Sequence, residues 1–116
     1  MGNERLMKSF DIFIMYISWG KDGKRRPVLV YAQDSVKVAV YLITTKYDGK
    51  SEAIKANYFK ITDWVHAGLN KVSYVDTGTL VKLPKSSIAG KAPIGRLSAS
   101  DIKNFLNFLH KISIYP

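Results

Sequence analysis

The sequence predicts a mainly β domain with minor α content. The expected shape is a small, strongly curved antiparallel sheet or partly open barrel, with a short helix and a C-terminal helix. Three observations predict it. The first half of the chain carries short β-branched and aromatic runs broken by turn residues. Apolar residues at helical spacing are confined to the C-terminal segment. The chain has 116 residues, 47% hydrophobic, which is one domain's worth and enough for a core.

Residues 11–18 (Asp-Ile-Phe-Ile-Met-Tyr-Ile-Ser) predict the first strand. Trp19 to Pro27 holds two glycines, a proline and four basic side chains, and predicts a loop with a basic rim. Residues 28–32 predict a second strand, Gln33-Asp34-Ser35 a short turn, and residues 36–43 a third strand. The third strand is almost wholly apolar and so central, and the turn makes the pair a hairpin. Residues 57–61 predict another strand. Thr62 stands at an N-cap position, with Asp63 after it and Gly68 where a helix would stop. That predicts a short helical turn over 63–67. Residues 72–76 and 79–83 predict two short strands around Thr77-Gly78, and 84–95 an irregular loop. Ser98 and Asp101 make a capping-box-like start to the last helix. Its core stripe is Ile102, Phe105, Leu106, Leu109 and Ile112, with Lys103, His110 and Lys111 off it.

Composition excludes several kinds of chemistry. With no cysteine there is no disulfide, thiolate zinc site or cysteine nucleophile. Two histidines, His66 and His110, cannot make a histidine-rich metal site, so no metal and no cofactor is expected. No apolar run approaches the length of a membrane span. Met1 to Lys8 lacks the apolar core of a signal peptide, which predicts a cytoplasmic protein. Gly20 and Gly23 are not followed by the Lys-Ser/Thr of a P-loop. No Gly-x-Ser-x-Gly elbow and no helix-spaced carboxylate pair occurs.

Charge is more informative. Eighteen Lys and Arg against nine Asp and Glu give a net charge of +9. Residues 1–60 carry +5 and residues 61–116 carry +4, so the excess is spread over the fold. Such a surface suits a polyanion or an acidic protein partner.

Two constellations could hold a phosphate. Between Lys21 and Arg26 four of six residues are cationic. Arg26 precedes Pro27, which biases its backbone to an extended conformation at the start of a strand. Lys24 and Arg25 are expected on a mobile loop beside it. A guanidinium offers a planar fork that matches phosphate oxygens. Thr44 and Thr45 follow the third strand, where a hydroxyl caps backbone or meets a ligand. In a tight hairpin the start of strand two and the end of strand three share one end. Arg26 and Thr44 are therefore expected to be neighbours.

These residues resemble the MazF/PemK/Kid toxins over nearly the whole chain. The resemblance rests on Asp11-Ile-Phe-Ile, Lys24-Arg25-Arg26-Pro27-Val28-Leu29-Val30, Ile43-Thr44-Thr45 and Ile94-Gly95-Arg96-Leu97-Ser98, in that order. It implies an SH3-like barrel that acts as a homodimeric, sequence-specific, metal-independent endoribonuclease silenced by a small acidic antitoxin. By position, Arg26 matches the catalytic arginine, Thr44 the catalytic threonine and Asp76 the aspartate of the Kid/PemK branch. Thr45 stands where many members have Ser. The chain departs from the family in a short 19–25 loop, in Tyr74 at the place of a second arginine, and in the stretch 50–71. Related toxins that poison gyrase need an acidic C-terminal tail, and Ser113-Ile114-Tyr115-Pro116 has no acid.

The resemblance implies single-stranded RNA as substrate, with splayed bases. Trp19, Lys21, Lys24, Arg25, Thr45 and Lys46 are the candidates for stacking and phosphate contacts. The expected products carry a 2′,3′-cyclic phosphate and a 5′-hydroxyl. An acidic antitoxin segment would lie across the Arg26/Thr44 groove. The alternative is a non-catalytic module of the same fold that binds nucleic acid or protein without cutting.

Overall fold

A computed structural model describes residues 7–114. Residues 1–6, most of the Met1 to Lys8 stretch, and Tyr115 and Pro116 of the tail lie outside the described residues. The chain runs β1 (Asp11–Trp19), β2 (Asp22–Gln33), β3 (Lys37–Thr44), α1 (Glu52–Lys55), β4 (Tyr58–Lys60), β5 (Tyr74–Pro84), a 3₁₀ turn (Lys85–Ser87), β6 (Gly95–Arg96) and α2 (Ala99–Ile114). The six strands form one antiparallel sheet in the order β4-β5-β3-β2-β1-β6, curled into a half-barrel. This is the mainly β fold that the sequence predicts, and β3 is interior as its apolar run requires. Among the described residues no helix is long and apolar enough to cross a membrane.

The region 19–27 is not a loop. β1 and β2 pair out to Trp19↔Asp22, leaving only Gly20 and Lys21 in the turn. Gly20 takes φ +55°, the left-handed conformation that tight hairpin turns use. Lys24, Arg25 and Arg26 therefore sit on a paired strand opposite Ile17, Tyr16 and Met15. The β-branched and aromatic residues of β1 supply a complete ladder, and that pairing outweighs the loop-like composition of its partner. Pro27 is tolerated because β2 pairs with β3 only from Val28↔Leu42 onward.

The two short strands expected around Thr77-Gly78 are one strand. The register passes from Leu42↔Asp76 to Tyr41↔Leu80, leaving residues 77–79 as a bulge. The backbone N–H and the hydroxyl of Thr77 both donate to Asn57 O, at 2.9 and 2.6 Å, which anchors the bulge beside β4.

The sheet alternates between two cores. Ile12, Leu29, Tyr41, Ile43, Phe59 and Val75 face α2 and meet Phe105. Phe13, Met15, Val28, Val30, Val38 and Val40 pack on the other face with Ile88. Phe105 is fully buried, with Phe59 and Tyr41 at 5.2 and 5.9 Å in edge-to-face contacts. Leu106, expected in the core stripe, is 46% exposed. Phe108 packs at 5.6 Å against Phe59 instead, so the buried face is rotated from the expected stripe.

The segment 62–68 forms a turn with one α-type bond, from Ala67 N–H to Asp63 O at 3.1 Å, and one 3₁₀-type bond, from Gly68 N–H to Val65 O at 3.1 Å. Thr62 does not cap it. The buried Asp101 carboxylate, from α2, accepts from the N–H groups of Thr62 and Asp63 at 3.2 and 2.8 Å. Ser98 accepts from Asp101 N–H at 3.1 Å and donates to Asp63 Oδ2 at 2.6 Å. Asp101 thus reaches a distant segment instead of closing a local capping box. Gly68, at φ +83°, lies directly against the backbone of Ile94, and Gly95 against that of Ala67. A side chain at either position would overlap that backbone. The short helix is elsewhere: α1 starts at Ser51, whose Oγ accepts from Ile54 N–H at 3.3 Å.

Candidate nucleic-acid interface

One groove gathers most of the candidate residues. It has a volume of about 410 Å³ and lies where β2 separates from β3. Arg26 and Pro27 form one wall, Leu42 to Lys46 the floor and rim, and Tyr58, Ser73 and Asp76 the far wall. Lys24, Arg25 and Lys50 complete the lining. Five cations therefore surround a single carboxylate. Such a cleft attracts anions and binds them more weakly as salt rises.

Register explains the meeting. β2 and β3 pair Val28↔Leu42. Two residues further along each diverging strand, Arg26 comes beside Thr44. Both line the groove, as the hairpin argument expects. Thr44 pairs on its other side with Tyr74, and Leu42 pairs with Asp76, which pairs with Tyr58. The row Tyr58, Asp76, Leu42, Val28 thus crosses four strands on one face of the sheet, with Arg26 on that face one step along β2.

Arg26 is half-buried, and its Nε is a buried nitrogen with no hydrogen-bond partner among the described residues. Its guanidinium carbon lies 5.4 Å from the ring centroid of Trp19, which is 49% exposed. That is cation–π range. Trp19 is thus neither core nor a wall of the groove; it flanks the arginine. Burial of a donor without a partner is costly, and a ligand oxygen at this position would repay it.

The other two residues carried over with Arg26 already have local partners. Thr44 Oγ1 accepts from Lys46 N–H at 3.1 Å. Asp76 Oδ1 accepts from Gly78 N–H at 2.9 Å. Each keeps capacity: Thr44 its own O–H, Asp76 its second oxygen. Lys21, at the hairpin turn, is exposed and does not line the groove. His66 and His110 are exposed on separate elements, as expected. No group of three or more His, Asp or Glu side chains comes together among the described residues.

Three lining residues were missed by sequence reasoning: Lys50, Tyr58 and Ser73. Tyr58 carries the strongest signal among them. Burial pushes its phenol above the ordinary value, the Asp76 carboxylate pushes the same way, and Arg26 opposes both. Its ring belongs to a cluster in which Tyr47 and Tyr74 stack at 4.3 Å and 10°. Lys55 sits 4.9 Å over Tyr47. Gly49-Lys50-Ser51 looks like the end of a P-loop, but Thr44 stands where its first glycine would be. Ser51 instead caps the single turn of α1.

Compared with known protein families and with curated proteins, the chain matches none.

Proposed function

We propose that the protein is a metal-independent endoribonuclease that cuts single-stranded RNA at defined sequences, the toxin of a toxin–antitoxin pair. The observation that supports this best is the Arg26 guanidinium, whose buried Nε has no hydrogen-bond partner among the described residues, in a cation-lined groove that also holds Thr44 and Asp76. The sequence motifs that resemble MazF/PemK/Kid toxins point the same way.

The chemistry follows from the substrate. RNA brings its own nucleophile, the 2′-hydroxyl. Asp76 accepts the proton of that hydroxyl as its oxygen attacks phosphorus. Arg26 stabilises the added charge on the phosphorane, a kind of contribution worth about 3–4 kcal/mol per donor. Thr44 hydrogen-bonds a non-bridging oxygen. The bond to the 5′-oxygen breaks, and that oxygen leaves with a proton from solvent. The products are a 2′,3′-cyclic phosphate and a 5′-hydroxyl. Lys24, Arg25, Lys46 and Thr45 hold flanking phosphates, Lys21 adds charge at the hairpin turn, and Trp19 offers a face for a base. An acidic antitoxin segment would cover the same cations, and the working unit would be a homodimer in the cytoplasm.

A second reading is a non-catalytic module of the same fold that binds nucleic acid or protein. The local partners of Thr44 and Asp76 favour it, because both side chains already have structural work. Mass spectrometry of RNA ends separates the two. The protein is incubated in EDTA with a long unstructured RNA beside an Arg26→Ala control. Defined cuts with cyclic-phosphate and 5′-hydroxyl ends, absent in the control, support the ribonuclease. Intact RNA from folded protein supports the binding module.

A further inference from the structure

We infer that Tyr58 is a second donor of the phosphate subsite: its hydroxyl hydrogen-bonds a phosphodiester oxygen held against the Arg26 guanidinium. This rests on the proposal above for its substrate, while the hydrogen bond itself requires only a phosphodiester in the groove.

Tyr58 lines the groove with Arg26, Thr44 and Asp76. The cross-strand row places it on the face of the sheet that carries Arg26. Of the other groove hydroxyls, two have local partners, while Thr45 has none among the described residues and lies on the β3 side, away from the far wall that Tyr58 shares with Asp76. Thr44 is engaged by Lys46 N–H, and Ser73 donates to Lys71 O at 2.8 Å. The Tyr58 hydroxyl has no hydrogen-bond partner among the described residues, although Asp76 lies directly across the strand pair. Packing, not hydrogen bonding, orients it: the ring leans on Tyr47 and Tyr74 at 6.2 and 6.4 Å.

Chemistry completes the argument. A phenol is a neutral donor that keeps its proton in a half-buried site, and burial here strengthens that tendency. Arg26 supplies charge from one wall, and Tyr58 supplies a directed donor from the other. Asp76 is an acceptor only and Ser73 already donates to Lys71 O, which leaves Tyr58 as the open donor of the far wall. In the transesterification, Tyr58 donates a hydrogen bond without giving up its proton, so the balance of the reaction is unchanged.

Tyr58→Phe removes the hydroxyl and keeps the ring. Tyr31→Phe, on the opposite face of the sheet, is the control. Two measurements are made with each: RNA cleavage kinetics, and affinity for a single-stranded 2′-O-methyl oligonucleotide, which lacks the attacking hydroxyl. A hydrogen bond to a charged oxygen predicts a loss of roughly tenfold or more, in kcat or in affinity, for Tyr58→Phe alone. Equal values for Tyr58→Phe and the unaltered protein in both measurements would overturn the assignment and leave the ribonuclease proposal standing. If the unaltered protein does not cut RNA, the ribonuclease proposal fails and affinity alone decides. Weaker binding by Tyr58→Phe then sustains the donor, and equal binding overturns it.

Discussion

Asp101 and Arg26 are both charged side chains drawn away from water, and their surroundings are opposite. Asp101 is 1% exposed, and its two carboxylate oxygens take the backbone N–H groups of Thr62 and Asp63. Arg26 is less buried, yet its Nε has no partner among the described residues and no carboxylate pairs with it there. A charge that serves the fold has its hydrogen bonds satisfied within the fold. One that leaves a buried donor open, in the lining of a groove, holds binding capacity in reserve. The difference separates residues that hold the chain together from residues available to a ligand.

The sharpest way to break that comparison is to remove Arg26. Arg26→Ala should cut RNA about 10²–10³-fold more slowly, measured as initial rates on a defined oligonucleotide. Its melting temperature should stay within a few degrees, because no internal hydrogen bond is lost. Arg26→Lys should not restore the rate, because an ammonium lacks the planar fork.

Asp101→Ala should do the reverse. It removes the shared acceptor of two part-buried backbone N–H groups and should cost roughly 1–3 kcal/mol in urea unfolding, with specific activity per folded molecule unchanged. A variant that kept its stability but lost activity would merge the two roles. Trp19→Ala should act more gently. It removes a half-exposed cation–π contact and should weaken binding of a 2′-O-methyl oligonucleotide about two- to fivefold.

The smallest effect concerns Asp34, in the β2–β3 turn. Hydrogen bonds from the Lys37 and Val36 backbone hold its carboxyl below the ordinary 3.8. The ionised form therefore favours the fold. Its contribution is present above that ordinary value and vanishes as pH falls through the lowered one. Melting curves of Asp34→Ala should run slightly below those of the unaltered protein at neutral pH, and the gap should close in acid.

Most of the fold was legible because its signals are local. β1, the β2–β3 hairpin and α2 announce themselves by β-branched runs, a turn and a helical stripe. What was not legible depends on pairing across the sheet. The composition of 19–27 looks like a loop, and only β1 makes it a strand. Gly78 looks like a break, and only the bulge against β3 carries the strand past it. Leu106 and Phe108 both suit a helix face, and contact with Phe59 decides between them. The same holds for the site. Arg26 and Thr44 could be placed together because a hairpin register relates them. Tyr58 could not, because β4 reaches the groove only through β5, and nothing in its own segment records that register.

The contact of Gly68 with Ile94, and of Gly95 with Ala67, has a further consequence. It latches the 62–68 turn to β6, and β6 pairs with β1. The other end of that turn is gripped by Ser98 and Asp101 of α2. The 62–68 turn is thereby tied at both ends to the 94–101 segment, and through β6 to β1 at the other end of the sequence. Opening one of these segments breaks contacts of the others, so their amide hydrogens should exchange as a single cooperative unit instead of fraying one by one.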